Sequence, residues 1–201
     1  MKKLFWIVCG VAALGWMLGD NSKTKSGPGG SVSAVRAQAT AVSFTSLMPP
    51  SQTSFVQAVR QGQAAYQAGA NEMAKGAARP ARARDICSAF QSGRADRWVG
   101  TVYGLSSNND GKGVLTIHLG DDIYVKTWNN SLSDTGSNTL IEPSSQLFAS
   151  ASSLSKGQPV VFSGSLFRDK TDCFRESSMT LSGSLQEPEF IMKFTDIAPI
   201  Q

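Results

Sequence analysis

Histidine is almost missing from this chain. His118 stands alone among 201 residues that include only three cysteines, which excludes a zinc site assembled from several His and Cys ligands. Charge is sparse as well: charged residues make up 17% and hydrophobic residues 41%, so the chain is not a charged disordered tail. It has only one long apolar run, at residues 4–19, which excludes a polytopic membrane protein. No catalytic pattern stands out. What remains is one soluble domain with extras, the size that 201 residues allow.

The formal charge of +4 points to nucleic acid or an anionic membrane only until it is divided along the chain. Residues 1–100 carry 12 Lys/Arg against 4 Asp/Glu, and residues 101–201 carry 7 against 11, so the halves stand at +8 and −4. The basic excess therefore lies outside the second half.

Lys2 and Lys3 precede the apolar run of 16 residues, which reads as an export signal or a transmembrane anchor (domain 1–19). As a helix it rises about 24 Å, a little short of a ~30 Å hydrocarbon core. The clearest small-x-small cleavage site, Ala37-Gln38-Ala39, lies far downstream, so an uncleaved anchor through residues 4–19 is expected. Cys9 falls inside the run as a small hydrophobe. Lys23, Lys25 and Arg36 rival Lys2 and Lys3 under the positive-inside rule, but the short basic start resembles a secretory signal. The expected localisation is the bacterial inner membrane, single-pass, with the C-terminal domain in the periplasm. The reverse-oriented anchor with a cytoplasmic domain remains the alternative.

Residues 20–50, rich in Gly, Ser, Ala and Thr, read as a flexible linker. A helical segment follows at 51–94: Ser51 as cap of a helix to about Lys75, with Phe55, Val59, Tyr66 and Met73 sharing a face, and a short helix at 83–90. From Arg97 the apolar period becomes two. Strands are expected at 98–105, 114–119, 123–128, 158–167 and 190–197, with a further short one around 179–181. Turns fall at Asn109-Asp110-Gly111 and Gly120-Asp121. A helix beginning after Pro143 and ending at Lys156-Gly157 separates the third strand from the fourth.

Strand, strand, strand, helix, strand, strand is the order of a five-stranded OB-type Greek-key barrel (domain 95–201), a mainly β fold with one inserted helix. Over about 95–198 the text also resembles the bacterial OB-fold proteins of the tRNA-anticodon-binding-like type, which carry an N-terminal membrane segment. The resemblance rests on Trp98-Val99-Gly100-Thr101-Val102 and on Leu154-Ser155-Lys156-Gly157-Gln158-Pro159-Val160-Val161-Phe162-Ser163-Gly164. It implies nucleic-acid binding and brings no catalytic residues across.

In an oxidising compartment Cys87 and Cys173 are expected to pair, a long loop for which chain entropy allows at most about 4–5 kcal/mol. His118 is expected half-exposed, opposite Leu115, Ile117 and Leu119. Asn108 to Gly111 and the pair Asp121 and Asp122 read as turn residues, not as metal ligands. Lys75, Arg79, Arg82, Arg84, Arg94 and Arg97 read as a solvated basic face. Trp98, Tyr103, Tyr124, Trp128 and Phe167 are the candidate ligand-binding aromatics. The expectation is a non-enzymatic, cofactor-free, membrane-tethered binding domain of the envelope whose ligand is a protein, peptide or glycan. The alternative is a membrane-attached binder of single-stranded nucleic acid, which the acidic second half disfavours.

Overall fold

The computed structural model describes residues 46–200. The apolar run and the linker to residue 45 lie outside them; among the described residues no helix is long and apolar enough to cross a membrane.

Pro49 and Pro50 set the start of α1 (Pro50–Gln67): Pro50 fills the first helical position, where its missing N–H costs nothing. Ser51 does not cap the helix as expected; its Oγ accepts from Trp98 Nε1 at 3.2 Å instead. The single helix expected to Lys75 is two helices. The chain breaks at 68–71, Asn71 Oδ1 accepts from Ala74 N at 3.0 Å, and α2 (Glu72–Ala89) starts there. Phe55, Val59 and Tyr66 are buried, but Met73 falls beyond the break and is 88% exposed.

The strands that follow are β1 (Arg94–Ser107), with Trp98 to Gly100 buried in succession, and β2 (Gly113–Gly120) and β3 (Ile123–Lys126), both marked by alternating burial. After the short helix α3 (Gln146–Ser152) come β4 (Pro159–Leu166), a two-residue hairpin of β5 (Arg168–Asp169) and β6 (Cys173–Phe174), helix α4 (Leu181–Gln186) and β7 (Glu189–Pro199). The region around Met179 to Leu181 is not a strand. Thr180 Oγ1 accepts from Gly183 N at 3.0 Å and caps α4, while Met179 is 99% exposed.

Five strands close a barrel in the order β1-β2-β3-β7-β4, with β4 returning to β1; only β3 and β7 run parallel. Closure needs sharp coiling, and two glycines permit it. A Cβ on Gly100 would lie 2.3 Å from Ile117 Cγ2 and 2.9 Å from the His118 carbonyl; on Gly164 it would lie 2.6 Å from the Lys193 carbonyl. Leu115, Ile117, Leu119, Ile123, Val125 and Phe162 fill the interior.

The helices share that core. Phe55 of α1 meets Trp98 at 5.2 Å and Phe190 at 5.0 Å between ring centroids, and Phe90 meets Trp98 at 5.0 Å and Phe174 at 5.7 Å. Each such buried ring contributes about 1.5–3 kcal/mol, enough to dock α1 on the barrel end. The Gln52 amide makes the contact directional: Nε2 donates to Val99 O at 2.6 Å and Oε1 accepts from Val99 N at 2.8 Å. At the far end of α1, Arg60 pairs with Asp121 in the β2–β3 turn, where Asp121 and Asp122 take φ of 51° and 56°.

Cys87 at the end of α2 and Cys173 in β6 form a disulfide, with Cα atoms 5.5 Å apart. α2 also carries a buried ion network with residues on either side of β6 and with α4. Arg82, fully buried, pairs with Glu176, lies 3.5 Å from Asp172 and donates to the Ser184 carbonyl, while Arg79 grips Asp172 at 2.8 and 2.6 Å. This corrects the reading of the basic stretch as a solvated face. The acids of Arg79 and Arg82 come from beyond residue 170, Lys75 pairs locally with Glu72, and Arg84, Arg94 and Arg97 stay exposed. Burial pushes the Glu176 carboxyl above its ordinary value, against the pull of Arg82 and Ser184.

Candidate functional site

On the outer face of β1, β2 and β3 the residues between the core positions converge on an aromatic row. His118 pairs in register with Tyr124 across β2 and β3, and their rings stack at 5.0 Å with 28° between planes. Tyr103 lies 4.9 Å from Tyr124, and Lys156 Nζ stands 5.2 Å above the Tyr103 ring, within cation–π reach.

Tyr103 owes its position to an irregularity. Val102 pairs with Ile117 and Gly104 with Thr116, so Tyr103 is the extra residue of a bulge. Such an insertion re-aims a side chain, and Tyr103 is 51% exposed between buried Val102 and half-buried Gly104. Tyr124 is half-buried, and that burial raises its phenol above the ordinary value, assisted by Tyr103 and nearby acids. The Tyr124 phenol is therefore a neutral hydrogen-bonding group at neutral pH.

The row is bounded on its β7 side by a polar clamp. Glu189, in register with Tyr124, accepts from Lys126 Nζ at 2.9 Å and from the Ser177 hydroxyl. Burial pushes the Glu189 carboxyl up, but these two donors outweigh it and hold it below its ordinary value. His118 Nε2 is buried without a hydrogen-bond partner. Arg82 Nε and Trp128 Nε1 share that state among the described residues, and none of the three atoms is open to the surface.

Of the five aromatic candidates, the structure brings Tyr103 and Tyr124 together and adds His118, which the sequence presented only as a half-exposed strand residue. Trp98 is fully buried in the core and offers no ligand surface. Trp128 follows β3 and is tied to the next loop: its backbone N–H donates to Thr139 Oγ1 at 2.8 Å, and that hydroxyl donates to Asp134 at 2.7 Å. Phe167 sits under the Arg175 guanidinium at 5.8 Å. Neither of the last two touches the row through any of the ring contacts described above.

No family model matches this chain, and no curated protein does. Function must be argued from the row itself. Among the described residues, no three His, Cys, Asp or Glu side chains converge on a point where a metal would sit. A groove of about 630 Å³ at another place on the barrel is lined by Pro49, Val99, Val161 and Ile200, with Asp96 and Arg97 as its charged members. Its lining mixes polar and apolar surface, and no ion pair joins Asp96 to Arg97 there. The aromatic row, by contrast, offers flat π faces, two hydroxyls, one imidazole and one ammonium on a rigid sheet, which suits stacking on an extended oligomer.

Proposed function

We propose that the barrel is of the OB type and that the protein is a non-enzymatic binding module, held to the inner membrane by residues 4–19 and facing the periplasm. It takes a protein, peptide or glycan ligand across Tyr103, Tyr124 and His118. The strand order β1-β2-β3-β7-β4, the parallel β3–β7 pair and the helix between β3 and β4 support the fold type, as does the resemblance carried by residues 98–102 and 154–164. The single observation that carries the binding site is the exposed Tyr103, lifted by its bulge beside Tyr124. OB barrels use this outer face for oligonucleotides and oligosaccharides alike. Charge separates the ligand classes: residues 101–201 are net −4, a poor match to a phosphate backbone.

Three probes test the reading at physiological salt: soluble cell-wall glycan fragments, a random-peptide display library and oligothymidylate. Binding of a glycan or a selected peptide, with oligothymidylate bound at least about tenfold more weakly, is the expected result. Tight oligothymidylate binding that weakens steeply with salt would overturn it in favour of the nucleic-acid alternative. Alkaline phosphatase fused after Gln201 reports the compartment: an active fusion is expected, and an inactive one contradicts the periplasmic placement.

A further inference from the structure

The Cys87–Cys173 bond is more than a staple. We propose that it is a thiol-exchange site, at which an incoming thiolate attacks Cys87 Sγ and Cys173 leaves as a thiolate received by the Arg168 guanidinium. Three observations carry this. Arg168 Nη1 lies 3.2 Å from Cys173 Sγ and 3.6 Å from Cys87 Sγ. The guanidinium is fixed there, since its other amino group donates to the Gln91 carbonyl and its plane covers the Phe174 ring at 4.8 Å. The two residues also differ in access: Cys87 is half-buried, while Cys173 is 3% exposed.

A disulfide sulfur is a weak acceptor, so the oxidised pair gains little from this cation, whereas a thiolate in the same place gains a charge-assisted hydrogen bond. The guanidinium is thus positioned for a charge that appears only when the bond opens. Asp85, two residues before Cys87 on α2, is an exposed acid, whereas the two acids of the hairpin are engaged. Asp169, across the hairpin from Cys173, accepts from the Thr171 and Asp172 amides, and Asp172 is held by Arg79 and Arg82. Arg84, one turn before Cys87 on α2, and Lys170 in the hairpin turn add positive charge.

The step balances with a dithiol as reductant. Its first thiolate forms a mixed disulfide with Cys87 and expels Cys173 as a thiolate; its second thiol then attacks the mixed disulfide and expels Cys87. The dithiol is oxidised to its own disulfide, and two electrons and two protons end on the two cysteines. The hairpin keeps its place without the bond, because Arg79–Asp172, Arg82–Glu176 and the fully buried Phe174 still join it to α2 and the core. The released thiols stay adjacent, which makes the exchange reversible.

The test uses the protein with Cys9→Ser, so that only this pair remains. After reduction, thiolate absorbance near 240 nm is followed against pH, and reduction of the oxidised protein by dithiothreitol is timed. One thiol is expected to titrate clearly below the ordinary value of about 8.5, and it should be the one that remains in the Cys87→Ser variant. Arg168→Gln should raise that titration and slow reduction about fivefold or more, and Arg168→Lys should restore part of both. Wild-type thiols that titrate at or above about 8.5 would overturn the proposal, whether or not the variants fold. So would an Arg168→Gln protein that is folded and reduced at the unchanged rate.

Discussion

Arg82 shows what one residue can hold together. It is a fully buried cation in a helix whose sequence reads as polar; its two terminal amino groups reach Glu176, Asp172 and Ser184 from the far end of the chain, while Nε has no hydrogen-bond partner among the described residues. Gly62 makes the space, since a Cβ there would lie 2.3 Å from Arg82 Cγ. Asp172 keeps Arg79, but removing the cation leaves the Glu176 carboxyl buried without its ion-pair partner, so Arg82→Met should destabilise the fold by about 3–5 kcal/mol in urea unfolding. Gly62→Ala should act in the same direction by forcing Arg82 from its place, at a cost of about 1–3 kcal/mol. Glu189 gives a pH signature. Its folded value is depressed, so the stability it supplies is present above the ordinary carboxylate value of 4.5 and is lost as pH falls through the lower folded value. The Tm advantage of the wild type over Glu189→Gln should therefore be full at pH 7 and shrink below pH 4.5. An advantage that grows on acidification would contradict the clamp.

At the scale of elements, the strands of the barrel were readable because period-two burial leaves a direct mark on sequence: Leu115, Ile117 and Leu119 point in, and His118 points out. The inserted helix is legible from the three- and four-residue steps of Leu147, Phe148, Ala151 and Leu154, although it stops at Ser152, before Gly157. The β5–β6 hairpin escaped because two residues per strand hold no period. Arg79 and Arg82 escaped because their partners are 93, 90 and 94 residues away, and separation of that kind writes no local pattern. Tyr103 and Tyr124 could be named from their residue type, but the bulge that lifts one beside the other depends on β1–β2 register, which one strand alone does not encode. The disulfide joins elements 86 residues apart. Cys87→Ala/Cys173→Ala should lower stability by no more than about 4–5 kcal/mol, the chain-entropy limit for such a loop, and leave the far-ultraviolet spectrum unchanged because the ion network persists. Loss of the barrel spectrum would show that the bond, not the network, fixes the hairpin.

Across the whole described molecule, one face of the barrel sheet packs into the core and the other presents the aromatic row. The inner faces, with Phe55 and Phe90 from the helices, form a single core, so that α1 and α2 brace the barrel and the outer face of β1–β3 is left to project side chains without deforming. Stacking aromatics held on a rigid sheet bind without ordering a loop, and that is the physical case for a binding module here. The most direct measurement is equilibrium binding of the best glycan or peptide probe by Tyr103→Ala, with Met179→Ala, altered at a 99% exposed position, as the control. The account predicts a loss of about tenfold or more for Tyr103→Ala, with Tm unchanged and Met179→Ala equal to wild type. Undiminished binding by a folded Tyr103→Ala protein would contradict it.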